Sequence, residues 1–241
     1  MSKRPSESST RKNLRTPPAK AASHARRARV SGRPAGAASV GKQVIVDSTI
    51  ELLKVRPPES LTVMEVANAA GVTRALVRYY FGGLEGLLAQ VTEQLMGVLQ
   101  GRMEDMTIRK GTLYERIRQR LALRLAFMRE HPHFERLVLS EIYYAEGKED
   151  GSADAESALQ RVTRRGMEIS ASLLDDKAAQ HVDARFVHLT IVSISGFIAA
   201  GEPLIRTLFG TGQRRERDLE AYIDFAARLL AEHLESVGGA G

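Results

Sequence analysis

The stretch Leu61–Leu88 (LTVMEVANAAGVTRALVRYYFGGLEGLL) constrains the chain most, because stop and start signals crowd into it. Thr62 is an N-cap residue, and Glu65 three places on completes a capping box. Leu61 and Val66 are placed to form a hydrophobic staple. Val63, Val66, Ala67 and Ala70 give the first short helix an apolar face, which Gly71 ends. Thr73 caps a second helix, Arg74–Phe81, with Leu76, Val77 and Phe81 inside. Its outer stripe is Arg74, Ala75, Arg78 and Tyr79. Two short helices, a glycine-containing turn and a basic, aromatic outer face match a helix-turn-helix whose second helix enters a major groove.

The rest of the chain reads as helix. Apolar residues step by three and four, and no segment sustains the alternation of a strand. The spacing predicts a first helix over 41–55, a proline loop at 56–60, and a long fourth helix from Leu84 through Met106. It predicts further helices from Leu113 to Met128, from Phe134 to Ala145, from Ala158 to about Asp176, from Asp183 to Ala200 with a short continuation to Phe209, and from Arg215 to Val237. The fold class is all-α, with about nine helices: residues 1–39 a basic tail, 40–84 a helix-turn-helix domain, and 85–241 a second helical domain.

Charge separates the tail from the body. Residues 1–39 hold ten Lys and Arg against the single acid Glu7, a net +9, so a chain of formal charge +6 has a body of −3. The tail has few large apolar residues and reads as disordered. A basic arm of this kind suits a polyanion. Gly32-Arg33-Pro34 resembles the core of an AT-hook, with Arg33 the residue for a minor groove, although Ser31 stands where a basic residue is usual.

Other chemistries find little support. The 241 residues include no cysteine, so disulfides and thiolate metal sites are excluded, and a cytoplasmic location is expected. His131 and His133, with Glu130 or Glu135 nearby, match no strong ligand spacing, and no metal or cofactor is expected. Gly82-Gly83 lacks the strand and lysine of a phosphate loop, and Ser193 and Ser195 lack a nucleophile elbow. Enzymatic activity is therefore not expected. Phe186–Ala200 is too short to span a bilayer and reads as a buried helix, so no membrane partner is expected.

The helix-turn-helix resembles the DNA-binding region of the TetR family of bacterial regulators. The matching residues are Leu61-Thr62, Val66-Ala67, Ala70-Gly71-Val72-Thr73, Val77, Tyr79, Phe81, Glu85 and Leu87-Leu88, and with the preceding helix the likeness covers Val40 to about Leu88. Two positions depart: Arg78 stands where the family usually has Tyr, and Leu84 where it usually has a phosphate-binding Lys. The resemblance implies a double-stranded DNA operator as partner. With the outer stripe it gives as candidate DNA contacts Lys42, Thr62, Thr73, Arg74, Ala75, Arg78, Tyr79 and Tyr80, beside Arg33 of the tail.

The resemblance assigns effector binding and dimerisation to residues 85–241. It further implies a homodimer through the helices at 183–209 and 215–237, and a palindromic operator. It implies a repressor released by an unknown small-molecule effector in the C-terminal domain. The alternatives are an activator or global regulator without a ligand, and an architectural DNA-binding protein. Helix face and composition give candidate effector contacts at Met103, Met106, Phe127, Met128, Tyr143, Met167, His188 and Phe197. That set predicts a fairly apolar cavity with few polar handles.

Overall fold

Thr62 and Thr73 both cap as their positions predict. Thr62 Oγ1 accepts from the Glu65 amide at 3.3 Å, while the Glu65 carboxylate accepts from the Thr62 amide at 3.0 Å. Thr73 Oγ1 accepts from the Leu76 amide at 3.3 Å. Between the two caps Gly71 turns through φ +66° and Gly82 ends the second helix at φ +73°, backbone that an L side chain rarely adopts. Arg56 ties down the preceding loop, donating to Glu65 at 2.6 Å and to the Ser60 carbonyl at 2.7 Å. This guanidinium is the main cause holding the Glu65 carboxyl below its usual range.

The computed structural model describes residues 35–106, 111–145, 156–174 and 181–238. Among them are ten α-helices and no strand: α1 Ala35–Leu53, α2 Val63–Ala69, α3 Arg74–Phe81, α4 Leu84–Asp105, α5 Leu113–Glu130, α6 Phe134–Val138, α7 Ala158–Ala171, α8 Ala184–Ala200, α9 Glu202–Phe209 and α10 Gly212–Gly238. A 3-10 turn at Pro58–Ser60 precedes α2. The chain from Ala35 onward packs as one compact unit. The first helix begins six residues earlier than its apolar face indicated and ends two residues earlier. A single helix expected from Phe134 to Ala145 is instead α6 followed by a π turn over Leu139–Tyr143. Pro203 sits in the first turn of α9, so α8 and α9 meet at a bend of 83°. No single described helix is long and apolar enough to cross a membrane.

Helix α4 runs through one continuous core, from the head into the body. Its first turns, with Leu87, Leu88 and Val91 buried, pack against α1 and α3. Its later turns, with Leu95, Met96, Leu99 and Met103 buried, pack against α5, α6 and α7. The body end of this core includes Phe127, fully buried and edge-on to Phe134 at 5.0 Å between ring centroids. Helix α10 closes the far side against α5, where Arg118 pairs with Glu220 at 3.1 Å and with Asp224, and Arg228 stacks 4.8 Å from the Tyr114 ring.

Two glycines of α4 differ in what surrounds them. A Cβ at Gly86 would lie 2.2 Å from the Phe81 carbonyl oxygen, so this glycine lets the end of α3 touch α4. A Cβ at Gly97 would meet nothing within 4 Å. Helix propensity alone favours alanine at both by about 1 kcal/mol. Gly97→Ala is therefore expected to raise stability by up to that amount. Gly86→Ala is expected to lower it by about 1–3 kcal/mol, since the clash is with backbone. Chemical denaturation of the two variants reads the opposite signs.

Candidate nucleic-acid interface and interior cavity

The outer stripe of α3 is laid out as its spacing indicates. Thr73, Arg74, Ala75, Arg78 and Tyr79 are all exposed, Tyr79 by 79%. The scaffold beneath is Val77, fully buried, with Leu76 and Phe81 half-buried. Among the described residues neither Arg74 nor Arg78 has an ion-pair partner, and both guanidiniums face solvent. Thr62 is exposed at the start of α2. This surface presents two cations, a phenol and two hydroxyls on the second helix of a helix-turn-helix and the start of the first. Such groups serve both phosphate oxygens and base edges.

Two candidate contacts are turned elsewhere. Lys42 donates to Gln90 at 3.0 Å and lies 5.6 Å from the centroid of the Phe81 ring, so it bridges α1, α3 and α4 rather than standing free. Tyr80 is half-buried, with its hydroxyl 3.6 Å from where a Cβ of Gly41 would stand. The reason is helical geometry: at 100° per residue, the position after Tyr79 rotates off the stripe towards α1. Arg33 lies outside the described residues.

A second site lies inside the body. Helices α4, α5, α6, α7 and α8 enclose a cavity of about 50 Å³. Three residues chosen from the sequence line it: Met103, Tyr143 and His188. The other five do not. Phe127 is core beneath it, half-buried Met106 caps the end of α4, Met128 faces a groove between α5 and α8, and half-buried Met167 points away on α7. Phe197 is 57% exposed on the outer face of α8.

The cavity wall is mostly apolar, as expected, but it carries more polar groups than the sequence indicated. Arg120, Arg124, Glu135, Gln100, Thr163 and Ser170 also line it, among Met96, Phe134, Val138, Ile169, Ile191 and others. Both arginines are more than nine-tenths buried. Each is met by a serine. Arg124 Nε donates to Ser195 Oγ at 2.6 Å, and that hydroxyl donates to the Ile191 carbonyl at 2.7 Å. Arg120 donates to Ser172 Oγ at 3.1 Å, and that hydroxyl donates to the Ile169 carbonyl at 2.7 Å. Glu135 reaches in from α6 over Gly196, where a Cβ would stand 2.6 Å from its Oε1.

A signal for the arginines was present. Ile117, Arg120, Leu121, Arg124, Leu125 and Met128 all fall on one face of α5, at steps of three, one, three, one and three. Arginine is normally a surface residue, which masks these two within the apolar stripe. Burial shapes the protonation of the site. It lowers the pKa of both guanidiniums, which nonetheless stay charged, and raises those of Glu135 and Tyr143. For Glu135 the charge of Arg124 opposes the rise.

His188 sits with Nδ1 3.0 Å from Ser170 Oγ, and its pKa is lowered first by burial and then by Arg124. The neutral ring is therefore the native form, while an unfolded histidine protonates below about pH 6.5. Stability from this residue is intact above that pH and falls as pH drops below it, because the unfolded state takes up the proton more readily than the folded one. His188→Gln is expected to flatten the loss of thermal stability between pH 7 and pH 5. Melting curves of both proteins across that range test this.

A third surface is apolar. Phe186, Leu189 and Phe197 stand exposed along one face of α8, with Leu204 and Leu208 on α9 and Phe225 and Leu229 on α10. Among the described residues no group of His, Asp and Glu is arranged to hold a metal ion.

Residues 45–91 match the family described as "Bacterial regulatory proteins, tetR family". This span holds the second half of α1, the helix-turn-helix and the first turns of α4. No curated protein sequence matches the chain. Among solved structures, the fatty acid degradation regulator FadR of Bacillus halodurans superposes with a TM-score of 0.58 at 14% identity, over 79% of this chain and 94% of that one. The transcriptional regulator FadR of Bacillus subtilis, solved in complex with stearoyl-CoA, gives 0.56 at 15% identity, over 78% and 97%. A tetR-family transcriptional regulator of Streptomyces coelicolor gives 0.55 at 19%, over 83% and 87%. At these identities the likeness is one of fold.

Proposed function

We propose that the chain is a transcriptional regulator of the tetR family, whose model its head matches, and that it is a repressor that binds a palindromic operator as a homodimer and is released by a small molecule in the cavity. The observation that carries the DNA-binding half is the exposed stripe of α3. Its two unpaired guanidiniums and its phenol stand on a helix held rigid by the caps at Thr73 and Gly82. Arg74, Ala75, Arg78 and Tyr79 are its base and phosphate contacts, with Thr62 and Thr73 at the flanking phosphates. The head departs from its relatives at Arg78 and Leu84, so its operator contacts are its own.

The dimer reading rests on the apolar face of α8, α9 and α10. An exposed face with three phenylalanines and four leucines is unusual on a monomer. A second copy, related by a two-fold axis, covers it with the same surface. Two heads then reach two half-sites about one turn of DNA apart.

The ligand-release reading rests on α6. Glu135 lines the cavity, and the next residue, Arg136, pairs with Glu59 at 3.0 Å in the loop before α2. That exposed ion pair is itself worth little. Its position matters more: α6 also packs on α4, so a rearrangement in the cavity is passed to the helix that carries the head. Release requires the ligand to prefer the conformation that fits the operator less well. The B. subtilis FadR of the same fold was solved with stearoyl-CoA bound, which fits an effector-responsive body.

Arg74→Ala and Tyr79→Ala are each expected to weaken operator binding at least tenfold with the melting temperature unchanged; unchanged affinity in both removes the recognition-helix assignment. In sedimentation the protein is expected to run as a dimer at micromolar concentration. Leu189→Glu combined with Phe225→Glu is expected to give a folded monomer, and a monomeric unmodified protein would refute the interface.

A further inference from the structure

We infer that the cavity takes a small organic acid, its carboxylate held between Arg120 and Arg124 and its short apolar body lying against the methionines and branched side chains; this rests on the reading of the cavity as the effector site. The charges carry the inference. Two guanidiniums are more than nine-tenths buried in one small space. Among the described residues, no carboxylate lies within ion-pair distance of either, and the hydrogen bonds they make are to serine hydroxyls. The carboxylate nearest Arg120 in electrostatic effect, Glu104, is spent on Arg165, which holds both its oxygens at 2.7 Å. Glu135 is the only carboxylate lining the cavity among the described residues. With His188 neutral, the lining carries an excess of one positive charge.

A buried charge without a counter-charge is costly, and a cation pair more so. The serines satisfy one N–H of each guanidinium, leaving further donors of each planar fork for a ligand. A carboxylate matches that fork geometry and supplies the missing charge. Spacing on the helix supports one ligand for both: residues i and i+4 of α5 lie side by side on the same face. Volume limits the rest. About 50 Å³ is well under the several hundred Å³ of pockets for drug-sized ligands. The apolar walls, Met96, Met103, Phe134, Val138 and Ile191, then favour a compact hydrocarbon body over a second polar group.

Binding of the carboxylate also has a conformational consequence. Arg124 is the charge that opposes the burial of Glu135. An acid that takes over Arg124 leaves Glu135 facing a second anion. Glu135 then either binds a proton or swings out, carrying α6 with it.

The test uses the full-length protein without DNA. Butanoate, hexanoate and benzoate are titrated by calorimetry and by thermal shift, each against its neutral amide and against inorganic phosphate. At least one acid is expected to bind saturably, with its amide at least tenfold weaker. Arg120→Gln and Arg124→Gln are each expected to lose at least tenfold in affinity for that acid. The acid-against-amide comparison on the unmodified protein decides the matter alone, even where a variant fails to fold. Equal binding of acid and amide, or no saturable binding of any acid, overturns the inference. Phosphate binding as tightly as the best acid overturns the apolar-body part. The two readings separate cleanly: an acid that binds but does not release the operator keeps the site and removes the regulation, while an uncharged molecule that releases the operator keeps the regulation and removes the anion site.

Discussion

A single unbroken helix, α4, packs in both the head and the body of this protein, and the rest of the structure depends on that sharing. Its first turns complete the head with Val77 and the buried face of α1, and Gly86 lets the end of α3 press on it. Its later turns supply Met96, Gln100 and Met103 to the cavity. A packed interior deforms in discrete steps rather than smoothly. A helix gripped at both ends therefore transmits a change at one end as a displacement at the other. This is the physical basis for proposing that a molecule among α4 to α8 alters how α3 meets DNA.

The cavity shows the cost side of the same design. A core built for stability alone would not bury Arg120 and Arg124 beside His188 and Glu135. Two serines, each with its own proton placed on a backbone carbonyl, keep the guanidiniums solvated in part. Residues that sacrifice stability are where function is expected. The π turn at Leu139–Tyr143 adds to this, since such irregularities gather at functional sites, and it brings Tyr143 to the cavity wall.

The head was legible in the sequence almost residue by residue, because caps and glycine turns act locally. Thr62 with Glu65, Thr73, Gly71 and Gly82 need no tertiary partner to declare themselves. Helix ends without such signals were missed by several residues, as at the start of α1. The cavity was legible only in part. Met103, Tyr143 and His188 line it, but Phe127 and Phe197 lie on α5 and α8 at angles that periodicity alone does not fix relative to a pocket. Arg120 and Arg124 were hidden by the habit of placing charge outside, although their positions in the stripe of Ile117, Leu121 and Leu125 say otherwise. The apolarity of the helix carrying Phe186, Leu189 and Phe197 was legible, but which of its residues face outward was not. Among the described residues that outward face is open, and a second copy is what is proposed to bury it.

The account's central claim is that two copies of this head read two symmetric half-sites. Selection of bound fragments from a random DNA library by the full-length protein tests it most directly. The account predicts enrichment of one inverted repeat, its half-sites centred about 10 base pairs or one helical turn apart. Enrichment of a motif without two-fold symmetry, or no sequence enrichment at all, would contradict it.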